Sequence, residues 1–299
     1  MSGLLTLHGM SKPNLTEMLD AAQDFVEAKI PVHADLAGAT VTTVFFEPST
    51  RTRLSFEKAA HHLGAHVMSF SPELSSTSKG ESLRDTILTL TAMGSDVLVV
   101  RHWLADAADL AATWSGRPVV NAGVGRREHP TQTLIDALTM RQRFGQLEGL
   151  RMAIVGDIRN SRVARGHLVA LPALGVELTL VGPAPFLPDA DPWGVRTATD
   201  LDAELGDMDV IYLLRIQSER GSEARFPADA GYARRYGMNQ ERLSMLKPSS
   251  VVMHPGPINR GLEIEDAVAD GDRSLILEQV VNGVPVRMAV LSRALEGGR

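Results

Sequence analysis

Five consecutive residues, Ser49-Thr50-Arg51-Thr52-Arg53, gather three hydroxyls and two guanidinium groups at one point of the chain. That set suits a phosphate. The first backbone N–H groups of a helix point at an anion, hydroxyls donate to its oxygens, and a guanidinium adds a bidentate charge-assisted pair. A plain helix cap is the competing reading, but a cap needs one hydroxyl and gains nothing from Arg51. Arg53, two positions beyond Arg51 on a starting helix, faces another direction and is read as structural.

Further cationic and polar groups stand just beyond apolar runs. Arg101-His102 follows residues 96–100, His129 lies beyond 118–120, and Arg162 lies beyond 152–155. Arg215 closes the run 210–214, and His254-Pro255 closes 251–253. If those runs are strands of open sheets, these residues occupy the carboxyl ends where such sheets bind ligands. Arginines spread over solvent faces have no reason to keep to such places. Other chemistries fit less well. Asp157 follows Val155-Gly156 with no further glycines in place, and Gly123-Val124-Gly125 lacks the third glycine, so no nicotinamide site is expected. His61, His62 and His66 resemble a metal cluster, yet Gly64 is expected to end the helix between them, so no metal and no cofactor are expected.

The elements that position these groups follow from periodicity. Residues 41–46 are β-branched and aromatic, and 54–63 have helical spacing closed by Gly64. The same strand-then-helix order repeats. Strand 67–70 precedes a loop and a helix whose predicted entry is the capping box Ser78-Lys79-Gly80-Glu81 and whose exit is Gly94. Strand 96–100 precedes the alanine-rich stretch 105–113, and strand 118–120 precedes a helix over 130–144. After Gly145 a second series begins, with strands at 152–155, 178–181, 210–214 and 251–253. The alternation predicts an α/β protein of two doubly wound domains with mostly parallel sheets, joined by interdomain helices. A terminal helix over 275–295 is expected to break at 283–285, where Gly283 and Pro285 stand.

Bulk composition bounds the answer. A chain of 299 residues has room for two domains, and 44% apolar with 22% charged residues is ordinary for a soluble protein. The net charge of −6 argues against nucleic acid as the main partner, so an anion site here must be a local cationic pocket. The absence of cysteine removes disulfides and thiolate chemistry. Neither a targeting segment nor a membrane span is expected, and the chain is read as cytoplasmic.

The run Phe46-Glu47-Pro48-Ser49-Thr50-Arg51-Thr52-Arg53 resembles the carbamoyl phosphate signature of the aspartate and ornithine carbamoyltransferases. The resemblance extends over nearly the whole chain. The loop 75–79, followed by Gly80-Glu81, is similar to a mobile family loop that reaches into a neighbouring subunit's site in trimers. His129-Pro130-Thr131-Gln132, Arg215-Ile216-Gln217 and His254-Pro255-Gly256-Pro257 resemble the aspartate branch. Ornithine enzymes usually place a reactive cysteine in the last of these loops, and this chain has none. Some members read Pro-Leu-Pro-Arg there; Gly256 leaves backbone contacts possible but no side-chain role.

The resemblance implies a carbamoyl phosphate-binding domain over 1–145, with the helix from about 275 to 299 packing back on it, and an aspartate-binding domain over 146–274. It implies that Ser49, Thr50, Arg51, Thr52, Ser75, Lys79, Arg101, His129, Gln132, Pro255 and Gly256 bind carbamoyl phosphate. Thr52, Arg101 and His129 are the implied catalytic donors to the carbonyl oxygen. Arg162 is implied for the α-carboxylate of aspartate, and Arg215, Gln217 and a neighbour's Lys79 for its β-carboxylate. Domain closure is expected to bring the two sets together. No residue stands out as a general base, so the departing phosphate is expected to take the amine proton. A homotrimer with shared sites is expected, with a regulatory chain or another pathway enzyme left open as partner. Two alternatives remain: another amine acceptor such as ornithine, and a catalytically silent scaffold of the same fold.

Overall fold

The computed structural model describes residues 3–28, 36–188, 194–216 and 229–296. Two compact units result, Met1–Leu138 with Val280–Arg299, and Thr139–Gln279. In the first, α1 (Lys12–Glu27) is opened by Ser11, whose hydroxyl accepts from the Asn14 N–H, with Pro13 in the first turn. There follow β1 (Thr40–Phe45), α2 (Thr50–His62), β2 (His66–Phe70), α3 (Leu83–Ala92), β3 (Val97–His102), α4 (Ala107–Ser115), β4 (Val119–Val124) and α5 (Pro130–Phe144). The strands pair in parallel in the order β2-β1-β3-β4. The two central strands are buried almost end to end, as parallel strands covered on both faces must be. Val44, Leu98, Val100, Val119 and Val124 pack with Ile87 of α3 and with Ala107, Ala108, Ala111 and Ala112 of α4. Those alanines give α4 a thin face that lies close to the sheet.

The second unit holds β5 (Arg151–Val155), α6 (Arg162–Ala170), β6 (Glu177–Val181), β7 (Arg196–Ala198), α7 (Asp202–Leu205), β8 (Val210–Leu213), α8 (Asp229–Tyr236), α9 (Gln240–Met245), β9 (Val251–Met253) and α10 (Asp266–Ala269). Its sheet, β7-β6-β5-β8-β9, is again parallel throughout. Val155, Ile211, Leu213 and Val252 meet Tyr232, Tyr236 and Met238 in its core. The last helix, α11 (Ile276–Glu296), crosses the boundary between the units in the chain, as α5 does.

Two expectations are corrected. Helix α3 starts at Leu83, with Ser82 as its cap accepting from the Asp85 N–H at 3.1 Å. Ser78 instead lies in a 3₁₀ turn, Ser76–Lys79, closed by Gly80 at φ +94. A left-handed residue cannot continue a helix, so the true entry is one motif downstream. Helix α11 also runs unbroken through Pro285. Proline frees the carbonyl four residues back, and Val281, at 69% exposure, stands where water can satisfy it. Among the described residues, no helix is long and apolar enough to cross a membrane.

Candidate active site

Strands β1, β3 and β4 are neighbours, so their carboxyl ends bring residues 46–53, 101–102 and 125–132 side by side. Ser49 precedes α2 with extended backbone and makes no side-chain capping bond, so the plain-cap reading fails and its hydroxyl is not spent on the helix. Thr50 and Arg51 are exposed on the first turn. Thr52 turns inward and is 5% exposed. Its Oγ1 lies 3.4 Å from Nε2 of His129, which is also 5% exposed. Arg53 departs toward Glu57, 3.8 Å away on its own helix.

Arg101, half-buried at the end of β3, is held from two sides. Its Nη1 donates to the Ala122 carbonyl at 3.2 Å, and its Nε lies 3.5 Å from the Glu47 carboxylate. The neighbouring His102 has its pKa lowered by burial, which outweighs the raising influence of Glu47 and Asp106. Its Nδ1 accepts from the Leu104 N–H at 2.9 Å. Gly125 makes the turn toward His129: a Cβ there would lie 2.8 Å from the Ala105 Cα, at a φ of +47. Glu128 then straps the loop to the chain start, accepting from Thr6 Oγ1 at 2.5 Å and from the Leu7 N–H at 2.9 Å.

The His129 carbonyl receives the Gln132 N–H at 2.9 Å, which starts α5. Gln132 Nε2 donates to Asp136 Oδ1 at 2.9 Å, one turn on, and Asp136 is fully buried. The amide is thereby oriented with Nε2 inward. Arg287 of α11 is a further buried charge, with its guanidinium carbon 4.9 Å from the ring centre of Phe56 in α2. Burial drives its pKa down to about 9, against the Asp136 carboxylate, which acts to raise it.

Ser75 and Lys79 stand on the surface loop between β2 and α3. The Ser75 hydroxyl donates to the Pro72 carbonyl at 2.8 Å and lies 2.8 Å from Thr77 Oγ1, so it is engaged in its own turn. Lys79 is exposed at the end of that turn.

In the second unit, Asp157 accepts from the backbone and side chain of Asn160, and Ser161 caps α6 by accepting from the Ala164 N–H at 3.1 Å. Arg162 is therefore the first residue of a helix, where the dipole favours anions. Gly156 lets the chain leaving β5 pass against Leu214: a Cβ there would lie 3.0 Å from the Leu214 Cβ, at a φ of +130. Arg215 follows Leu214 and is half-buried. Gln217 lies outside the described residues. His254 follows β9; its Nδ1 accepts from the Gly256 N–H at 2.8 Å, which folds Pro255 and Gly256 into a tight turn. Close by, burial pushes the Tyr232 phenol well above its ordinary range, with Glu263, Tyr236 and Asp157 adding to the effect.

These arrangements can bind anions and donate hydrogen bonds. Among the described residues, no group of three or more histidine, aspartate or glutamate side chains is placed to hold a metal ion. The structure unites Thr52 with His129, and the strand order sets Arg101 beside them; the second-unit residues make their own cluster of strand ends. Asp136, Arg287 and Glu263 were not singled out from sequence. An aspartate one helical turn past Gln132, and an arginine amid Val286, Met288 and Val290, were the available signals.

Comparison with known proteins completes the description. Residues 3–142 match the family model described as aspartate/ornithine carbamoyltransferase, carbamoyl-P binding domain, and residues 148–294 match the Asp/Orn binding domain. The aspartate carbamoyltransferase catalytic subunit of Rhodococcus opacus is 49% identical over 311 residues, covering 99% of this chain and 98% of its own. That of Thermobifida fusca is 48% identical, covering 99% and 96%. Among solved structures, aspartate transcarbamoylase from Trypanosoma cruzi in complex with carbamoyl aspartate and phosphate superposes with a TM-score of 0.86 at 31% identity, covering 98% and 95%. Ornithine carbamoyltransferase from Thermus thermophilus also gives 0.86, at 27% identity, with 98% of each chain covered.

Proposed function

This chain belongs to the aspartate/ornithine carbamoyltransferase family, and on that premise we propose how its residues perform the family reaction. It transfers the carbamoyl group of carbamoyl phosphate to the α-amine of L-aspartate, giving N-carbamoyl-L-aspartate and phosphate, an early step of pyrimidine synthesis. The phosphate lies at the start of α2 on Ser49, Thr50, Arg51 and Thr52, with Arg101 completing the charge. Attack on the carbamoyl carbon builds negative charge on its oxygen, and Thr52, Arg101 and His129 donate to it. Removal of one such donor typically costs about 100-fold to 1000-fold in rate. Gln132, with Nε2 committed to Asp136, turns Oε1 to the carbamoyl NH2. The Pro255–Gly256 backbone carbonyls accept hydrogen bonds from the remaining amide N–H and from the incoming amine. Arg162 holds the α-carboxylate of aspartate, and Arg215 and Gln217 hold the β-carboxylate.

The close approach of Thr52 and His129, at 3.4 Å in a chain that matches its relatives end to end, is the observation that carries this reading. The departing phosphate takes the amine proton. A homotrimer in the cytoplasm completes the proposal. Lys79 at the tip of an exposed turn suits service to a neighbouring subunit's site, with Ser75 on the same loop. Supplying carbamoyl phosphate with aspartate or with ornithine tests the acceptor directly. Turnover is expected with aspartate and lost in Arg51→Ala; turnover with ornithine and none with aspartate would reverse the assignment.

A further inference from the structure

A single buried carboxylate ties together three parts of the second unit. Glu263 is 1% exposed, and its backbone is fixed from both sides: its carbonyl accepts the Met238 N–H at 3.0 Å, and the Met238 carbonyl accepts the Glu265 N–H at 3.0 Å. Its Oε1 accepts the Asn259 N–H at 2.5 Å. The same oxygen lies 3.3 Å from His254 Nε2. Because His254 Nδ1 already accepts from Gly256, the proton of the neutral ring is on Nε2, the nitrogen that stands 3.3 Å from this carboxylate. Asn259 then extends the connection, as its Nδ2 donates to the Ile216 carbonyl at 3.0 Å. Ile216 is the residue after Arg215.

Burial of a carboxylate is costly unless donors surround it, so this placement needs a return. Its donors lead to the Pro255–Gly256 turn on one side and to the Arg215 segment on the other. We propose that Glu263 and Asn259 are positioning residues that hold the Pro255–Gly256 turn and Arg215 in register, and so set how tightly the second unit grips the side-chain carboxylate of aspartate. The proposal rests on the carbamoyltransferase reading above. Neither residue touches substrate. Asn259 fixes the backbone beside the clamp, and Glu263 fixes Asn259 and the His254 ring.

Steady-state kinetics of the full-length protein test it. Asn259→Ala removes the Nδ2 bond to Ile216 and keeps the backbone N–H to Glu263. Its KM for aspartate, at saturating carbamoyl phosphate, is expected to rise about 5-fold to 10-fold, the equivalent of one hydrogen bond. The KM for carbamoyl phosphate should stay within about twofold, and the melting temperature should be unchanged. Glu263→Ala removes the acceptor of the Asn259 N–H and the carboxylate beside His254 together, so the same selective rise is expected. If either variant melts early, Asn259→Ser, which preserves the backbone bonds and shortens the side chain, provides the reading. Binding of succinate, which carries both carboxylates and no amine, should weaken in parallel with the aspartate KM. An unchanged aspartate KM, or equal changes in both KM values and kcat, would overturn the positioning role. Failure of the wild type to use aspartate would instead remove the functional reading on which it rests.

Discussion

Arg287 and Asp136 make a quantitative test of how the packing beneath α2 is held. The guanidinium is 3% exposed, stacks over Phe56, and donates from Nη1 to the Gly283 carbonyl at 3.0 Å. A folded pKa lowered to about 9, well below the ordinary range of a guanidinium, means that burial opposes the charged form by several kcal/mol, at about 1.36 kcal/mol per pH unit. The sign follows from the depressed pKa of a base. Both states are charged at pH 7, so the full penalty acts there, and stability rises only above the folded pKa of about 9. Replacement by methionine removes that penalty along with the stacking and the hydrogen bond, and takes away the buried cation on which the Asp136 carboxylate acts. Breaking one side of a buried pair costs about 3–5 kcal/mol. Arg287→Met is therefore expected to lose on the order of 3 kcal/mol. Asp136→Asn, which keeps an acceptor for Gln132, should lose a similar amount. The double variant should lose no more than either single one. Urea unfolding at fixed protein concentration, followed by the fluorescence of Trp103 and Trp114 in this unit, gives the cycle. Additivity of the two single losses within about 0.5 kcal/mol would refute the coupling.

Three further outcomes are expected. His129→Ala should lower kcat by about 100-fold or more, as loss of a carbonyl donor does, while any titration near neutral pH in the rate profile persists. Disappearance of that titration, with carbamoyl phosphate binding intact, would make His129 the base. Gly125→Ala, with its Cβ 2.8 Å from the Ala105 backbone, should cost about 2 kcal/mol or more in thermal or urea unfolding and reduce kcat by displacing His129; wild-type stability would contradict the close approach. Mixing Lys79→Ala with Arg51→Ala protein and allowing subunit exchange should restore part of the activity if Lys79 serves a neighbour, and no recovery would mean self-contained sites.

Legibility in the sequence followed sequence distance. The run Ser49 to Arg53 could be read because a strand end, a cap and a helix start are adjacent in the chain, and the structure keeps them together. Both parallel sheets were legible for a similar reason, since each strand carries its own β-branched signal. Helix α1 and edge strand β7 were not read: α1 has only a loose apolar stripe of Leu15, Met18, Leu19 and Ala22, and β7, Arg196-Thr197-Ala198, has a single β-branched residue where the equally short β9 has two. The loop 75–83 misled because Ser78 and Ser82 both stand three residues before an acidic side chain. Local pattern cannot choose between such caps, and the left-handed Gly80 decides. Asp136 with Arg287 was beyond reach because its partners are far apart in the chain, and pairing of that kind leaves no periodic trace.

The partners hidden from sequence share one physical purpose. Binding two anionic substrates needs several cationic and N–H donors in a small space, where long side chains repel one another and have many rotamers to lose. Several of the polar groups at the candidate site have a carboxylate beside them. Glu47 stands beside Arg101, Asp136 beside Gln132, Glu263 beside His254 and Asn259, and Asp157 orders the turn that starts the helix of Arg162. A chain of net charge −6 can thus present local cationic sites without a basic surface, because part of its acidic excess is spent on orientation. Neutral isosteres of these carboxylates should therefore act chiefly through the geometry of their donors. Preorganised donors account for much of the stabilisation of a developing oxyanion, so the losses should appear as kinetic selectivity between the two substrates.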